Sequence, residues 1–217
     1  MGGSDRTPRS TAPGSPVERL AAVTGRNLLV VGPPMSGKRS FGLSVLGDGI
    51  ANGRDALVVA ASRHLAAIPF DHTGGGRFGV VDCTPSDADE DGPVVNVASP
   101  GDLTGISMPV SRFLDGSERP VVLFDSISSI LQYADEESAF RFLSVLTAQV
   151  AGADGVGLYT FDGGAHTEET HRTFAQLFEG RVELRGGTDP ASGGRDEGAT
   201  EVRVSGVAGT AGEWTGI

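Results

Sequence analysis

Apolar runs alternate along this chain with segments of helical spacing. Asn27–Val31, Ala56–Ala61, Phe78–Asp82, Val94–Ala98, Val121–Phe124 and Val156–Phe161 are short and apolar, most of them almost wholly. Runs of that length and composition predict buried strands of a parallel sheet. Between them, helical spacing predicts helices over Val17–Val23, from Gly37 to about Ile50, from Asp102 to about Leu114, over Glu136–Val150 and over Thr167–Phe178. In the second of these, Phe41, Val45 and Leu46 share a face; in the fourth, Ala139, Phe142, Leu143, Leu146 and Val150 do. Asp102 stands as the N-cap of the third. Arg181–Arg185 and Glu201–Ser205 differ in kind, because polar and apolar residues alternate in them. That pattern predicts antiparallel strands with one buried face, joined by the Gly-rich loop Gly186–Thr200.

The expected fold class is therefore α/β, a three-layer domain with a mostly parallel sheet and a C-terminal antiparallel edge hairpin. Residues 1–16, rich in Ser, Thr, Pro, Gly and Arg, are expected to be a disordered tail. Residues 17–210 make the domain and 211–217 a C-terminal tail. The segment Ser86–Gly92 reads as a solvated acidic turn region, and no internal repeat is visible.

Composition narrows the function. The chain has 217 residues, 38% of them hydrophobic, enough for one domain with a real core. No apolar stretch approaches the roughly 20 residues of a membrane span, and no leading apolar run marks a secretion signal. The single cysteine, Cys83, excludes an internal disulfide framework and points to a reducing, cytoplasmic setting. Twenty-eight acids against 17 bases give a net charge of −11. That balance disfavours nucleic acid as a partner, since no basic face is available to displace counterions. Lys38 is the one lysine in the chain; the other basic residues are arginines.

That lysine stands in Gly32-Pro33-Pro34-Met35-Ser36-Gly37-Lys38-Arg39-Ser40, between a predicted strand and a predicted helix. This is the setting in which a GxxxxGK[ST] loop binds phosphate. Glycines let backbone N–H groups turn inward, the helix N-terminus adds partial positive charge, and the lysine reaches the terminal phosphates. The plain alternative is a strand-to-helix turn without a ligand. Two residues depart from the pattern. Met35 takes the place of a third glycine. Arg39 takes the place of the Ser or Thr that ligates Mg2+, and Ser40, about 100° further round the helix, is no simple substitute. Arg39 is free to lie on the phosphates or point to solvent.

Val121–Phe124 delivers Asp125 to the end of a strand, the form in which a carboxylate holds Mg2+ through water. The alternative is a cap for the following helix, Ser126 to Leu131. Together these motifs resemble the RecA-type P-loop ATPases, in particular their KaiC-like branch. Gly32–Lys38, Phe124–Ser128 and Phe140–Leu143 carry the likeness. Ser99–Ile106 is similar to a signature of KaiC-related proteins of haloarchaea, and the near-absence of lysine in an acidic chain agrees with such a source.

The resemblance implies a RecA-like core that binds ATP, with or without Mg2+, at the carboxyl edge of the sheet, often between subunits of a homo-oligomer. It also implies acidic residues just after the second core strand, where one activates water. Here Ser62-Arg63-His64 follows instead. His64 and Asp82 are the weak candidates for a catalytic base. The function expected is ATP binding in a regulatory or signalling role with weak or no hydrolysis. The alternatives are an ATPase completed in trans by oligomerisation, or a degenerate scaffold that holds a protein partner.

His166 and His171 are five residues apart, about 140° around a helix, which is wrong for a paired metal site. A capped helix start explains that segment.

Overall fold

The computed structural model describes residues 14–63, 75–84, 93–186, 200–207 and 212–217. His64, the acidic segment 86–92, most of the loop 186–200 and residues 1–13 of the expected tail lie outside these ranges. Each apolar run forms a strand: β1 (Arg26–Gly32), β2 (Ala56–Ala60), β3 (Phe78–Asp82), β4 (Val94–Asn96), β5 (Val121–Asp125) and β6 (Val156–Asp162). The alternating segments form β7 (Gly180–Arg185) and β8 (Glu201–Ser205), and β9 is Thr215–Gly216. The helices are α1 (Pro16–Ala21), α2 (Lys38–Ala51), α3 (Leu103–Leu114), α4 (Ile127–Ile130), α5 (Glu136–Gly152) and α6 (Glu168–Ala175).

The strands lie in the order β4-β3-β2-β5-β6-β1-β7-β8-β9. All pairs from β4 to β7 are parallel, and β7–β8 and β8–β9 are antiparallel. The expected hairpin is present, but β7 also pairs in parallel with β1, and the outer edge belongs to β9. That last strand comes from the segment read as a tail. Ile217 N–H donates to the Thr200 carbonyl at 2.9 Å, and the Arg185 guanidinium lies 4.0 Å over the Trp214 ring, a cation–π contact that fixes the end of the chain.

Alternate strand residues face opposite layers. Leu28, Val30, Val58, Leu123 and Leu158 join α1 and α2 in one core. Leu29, Val31, Leu57, Phe124 and Tyr159 join α3, α4, α5 and α6 in the other. The strands are apolar on both faces because both are covered. α6 stops earlier than its spacing predicts. Phe178 leaves the helix and packs on Tyr159, ring centroids 5.0 Å apart. Burial pushes the Tyr159 hydroxyl pKa strongly up, and the O–H donates to Asn27 Oδ1 at 3.1 Å.

Caps follow the sequence closely. Ser15 and Glu18 form a reciprocal capping box on α1. Asp102, Ser126, Asp135 and Thr167 accept from N–H groups in the first turns of α3, α4, α5 and α6. α2 is different, since its N-cap is Gly37, in left-handed conformation, with no side-chain cap.

Candidate functional site

α2 sits close on the sheet. A Cβ at Gly42 would lie 2.5 Å from Leu123, and one at Gly49 would lie 2.6 Å from Val121. Bare Cα atoms at these two positions seat the helix on β5 and aim its N-terminus at the carboxyl ends of β1, β5 and β6. Gly32 and Asp162 are register partners there. Open parallel sheets form their ligand crevices at this edge.

The loop 33–37 folds tightly. A Cβ on Gly32 would collide with Ser36 Oγ and approach the Leu184 carbonyl to 2.8 Å. Ser36 N–H donates to the Pro33 carbonyl at 3.2 Å. Met35 has φ +62, so its backbone adopts the conformation that a glycine would take without strain. Its side chain is 63% exposed and leaves the loop unobstructed. Ser36 Oγ is buried and has no hydrogen-bond partner among the described residues.

Lys38 is buried, with 8% of its surface exposed. Its ammonium donates to the carbonyls of Gly32 at 2.9 Å and Pro33 at 2.7 Å. It also lies 2.8 Å from Asp162 Oδ1. Three acceptors match the three donors of an ammonium, so the group expected to reach outward is folded back on its own loop. Asp162 is the open side of this arrangement, since about a third of its side chain reaches solvent.

Arg39 turns onto Asp125. Its Nη1 lies 3.2 Å from Asp125 Oδ2 and donates to the Arg63 carbonyl at 3.0 Å. Ser62 Oγ donates to the same Oδ2 at 2.7 Å, and Thr160 Oγ1 donates to Oδ1 at 2.7 Å. The Asp125 carbonyl accepts from the N–H groups of Ala61 and Ser62, and the Asp125–Ser126 peptide bond is cis. Sequence reasoning found Lys38, Arg39 and Asp125 but not Asp162, Thr160 or Ser62 as their partners. A threonine in the largely apolar run Val156–Phe161 was the readable sign for Thr160.

These groups line a cleft of about 400 Å3 that includes Ser36, Lys38, Arg39, Ser40, Asp125 and Asp162. A second cavity of about 460 Å3 shares Gly37 and Ser40 with it and is otherwise lined by residues that include Val17, Phe41 and Ile217. The first suits a polyphosphate: it has an orphaned buried hydroxyl, three cationic residues (Lys38, Arg39 and Arg63) and the uncapped first turn of a helix. It does not suit Mg2+. The position of the hydroxyl ligand is taken by a guanidinium, which carries positive charge and no lone pair, and that guanidinium already sits on the carboxylate that would hold the metal.

Asp82 lies elsewhere. It is buried at the end of β3, where its Oδ1 accepts from Thr84 N–H at 2.9 Å and Thr84 Oγ1 at 2.6 Å. Burial, reinforced by Asp82 and Asp102, pushes the neighbouring Cys83 thiol up to about 12. His166 Nε2 lies 3.0 Å from Ser128 Oγ, and both His166 and His171 pack on Phe161. Among the described residues no cluster of His, Cys, Asp and Glu could hold a metal ion, and no helix is long and apolar enough to cross a membrane.

No curated protein matches this chain. Among solved structures, a KaiC-like protein from the hyperthermophilic archaeon Pyrococcus horikoshii is similar, with a TM-score of 0.63 and 15% identity. The match covers 88% of this chain and 84% of that one, and at this identity it shows a RecA/KaiC-like fold. Residues 25–184 match the model of a family of unknown function, DUF7504, and the chain belongs to that family.

Proposed function

We propose that the cleft binds a nucleoside triphosphate, ATP by analogy with the fold, and that occupancy rather than rapid turnover is the functional output. The observation that carries this reading is the buried, unpartnered Ser36 hydroxyl, set in a loop that also holds the chain's one lysine. An orphaned hydroxyl costs free energy unless something supplies a partner, and a phosphate oxygen would. The triphosphate would lie against Gly32–Ser40, with the nucleoside in the adjoining cavity beside Phe41. Slow turnover follows from the carboxylates in the cleft. Asp125 is held by the Arg39 guanidinium and by the Ser62 and Thr160 hydroxyls and is not free to act as a base, while Asp162 is paired with Lys38. A regulatory role in the cytoplasm, where a lone thiol stays reduced, is consistent with these features.

Thermal unfolding with and without ATP, at low salt and in molar KCl, tests the reading. ATP at 100 times its Kd stabilises by about 2.7 kcal/mol, and Lys38→Ala abolishes the shift. A flat response at both salt concentrations sinks the proposal. ATP turnover that rises steeply with protein concentration would instead favour an ATPase completed in trans.

The second reading is a degenerate scaffold, favoured by the internal pairing of both Lys38 and Asp125. A partner would use the groove of about 430 Å3 beside α3, where Met108 and Val95 are exposed. Partner binding unchanged in Lys38→Ala, with no effect of ATP, would select it.

A further inference from the structure

We infer that the Arg39 guanidinium takes the place of the divalent cation, so that the cleft accepts a nucleoside triphosphate free of magnesium. The inference rests on the nucleotide reading above and deepens it. In a phosphate loop that uses Mg2+, the ion is held between the residue after the lysine and a strand-end carboxylate. Here the residue after the lysine is Arg39, and it spans that gap with its own charge, Nη1 lying 3.2 Å from Asp125 Oδ2.

The remaining donors make the assignment specific. Asp125 accepts from Ser62 at Oδ2 and from Thr160 at Oδ1. With Arg39 these take three of the roughly four lone-pair sites a carboxylate offers. The residue is 6% exposed, so little of it is open to a hydrated metal ion, which would also meet a like charge on the guanidinium. Arg39 itself remains accessible, with 24% of its side chain exposed and a place in the lining of the cleft. A planar guanidinium binds carboxylate and phosphate through charge-assisted hydrogen bonds, so one side chain bridges the two groups that a metal ion would bridge. Lys38 and Arg39 then supply two fixed positive charges to the phosphates. Magnesium in solution neutralises part of the ligand's charge and competes with them.

Calorimetric titration of the full chain with ATP tests this, once in a chelator and once in excess Mg2+. Wild-type protein is expected to bind at least as tightly in chelator. Arg39→Thr restores the hydroxyl and is expected to bind about tenfold tighter with Mg2+ than without. Arg39→Lys keeps a cation and should remain indifferent to the metal, which provides a second variant if Arg39→Thr unfolds. Wild-type binding about tenfold tighter with Mg2+ overturns the inference and leaves the nucleotide reading intact. Indifference of a folded Arg39→Thr to Mg2+ also overturns it. No binding in either buffer removes the nucleotide reading and this inference with it. Manganese resonance in the presence of ATP gives an independent readout: bound Mn2+ is expected with Arg39→Thr and not with wild type, and Mn2+ bound by wild type overturns the inference.

Discussion

The ammonium of Lys38, the first residue of α2, and the carboxylate of Asp162, the last residue of β6, lie 2.8 Å apart. A phosphate would compete for the same donor. Asp162→Asn keeps the shape of the side chain and removes its charge, so ATP should bind roughly three- to tenfold tighter, the worth of a part-exposed ion pair of about 1 kcal/mol. Calorimetry measures this directly. Weaker binding would mean that Asp162 holds the loop in its working shape.

Met35 occupies a left-handed conformation at φ +62. An L-residue there loses on the order of 1 kcal/mol relative to glycine, partly offset by the greater freedom of glycine in the unfolded chain. Met35→Gly should therefore raise the urea midpoint slightly. A lowered midpoint would show that the side chain makes contacts that outweigh the strain.

His171 should make stability depend on pH. Burial, then His166 and Arg181, lower its pKa from the ordinary 6.5, while a hydrogen bond to the Asp162 backbone opposes them. The folded chain therefore prefers the neutral ring, and just below 6.5 the unfolded chain binds more protons. The contribution is fully present above 6.5, is lost as pH falls toward the lower folded value, and then levels off. Urea midpoints across that range should show this slope, and His171→Gln should flatten it.

Cys83 is fully buried, and its thiol is pushed up to about 12. A disulfide reagent at mildly alkaline pH should leave the native chain unlabelled and react at once in guanidinium chloride, since the thiolate is the nucleophile. Fast labelling of native protein would show that the region around the end of β3 opens readily.

The strands and the phosphate loop were legible in the sequence because each is a local pattern. The runs ending at Gly32 and Asp125 are continuous apolar stretches of strand length, and the loop has a fixed spacing. What stayed hidden depends on strand order. β6 follows β5 in the chain but lies between β5 and β1, and only that placement brings Asp162 to Lys38 and Thr160 to Asp125. The destination of Arg39 was hidden for the same reason. β9 escaped because two residues carry no alternation to read, and the end of α6 because Phe178 satisfies helical spacing while packing elsewhere.

Gly42 and Gly49 press the backbone of α2 onto β5 with no room for a methyl group. A helix seated that way cannot slide or tilt without prying apart the layer beneath it. The groups left to respond to a molecule bound at this edge are the side chains lining the cleft and the short turn from 33 to 36. On the nucleotide reading proposed above, the expected response to a ligand is a re-pairing of charges at the sheet's rim rather than a movement of rigid bodies.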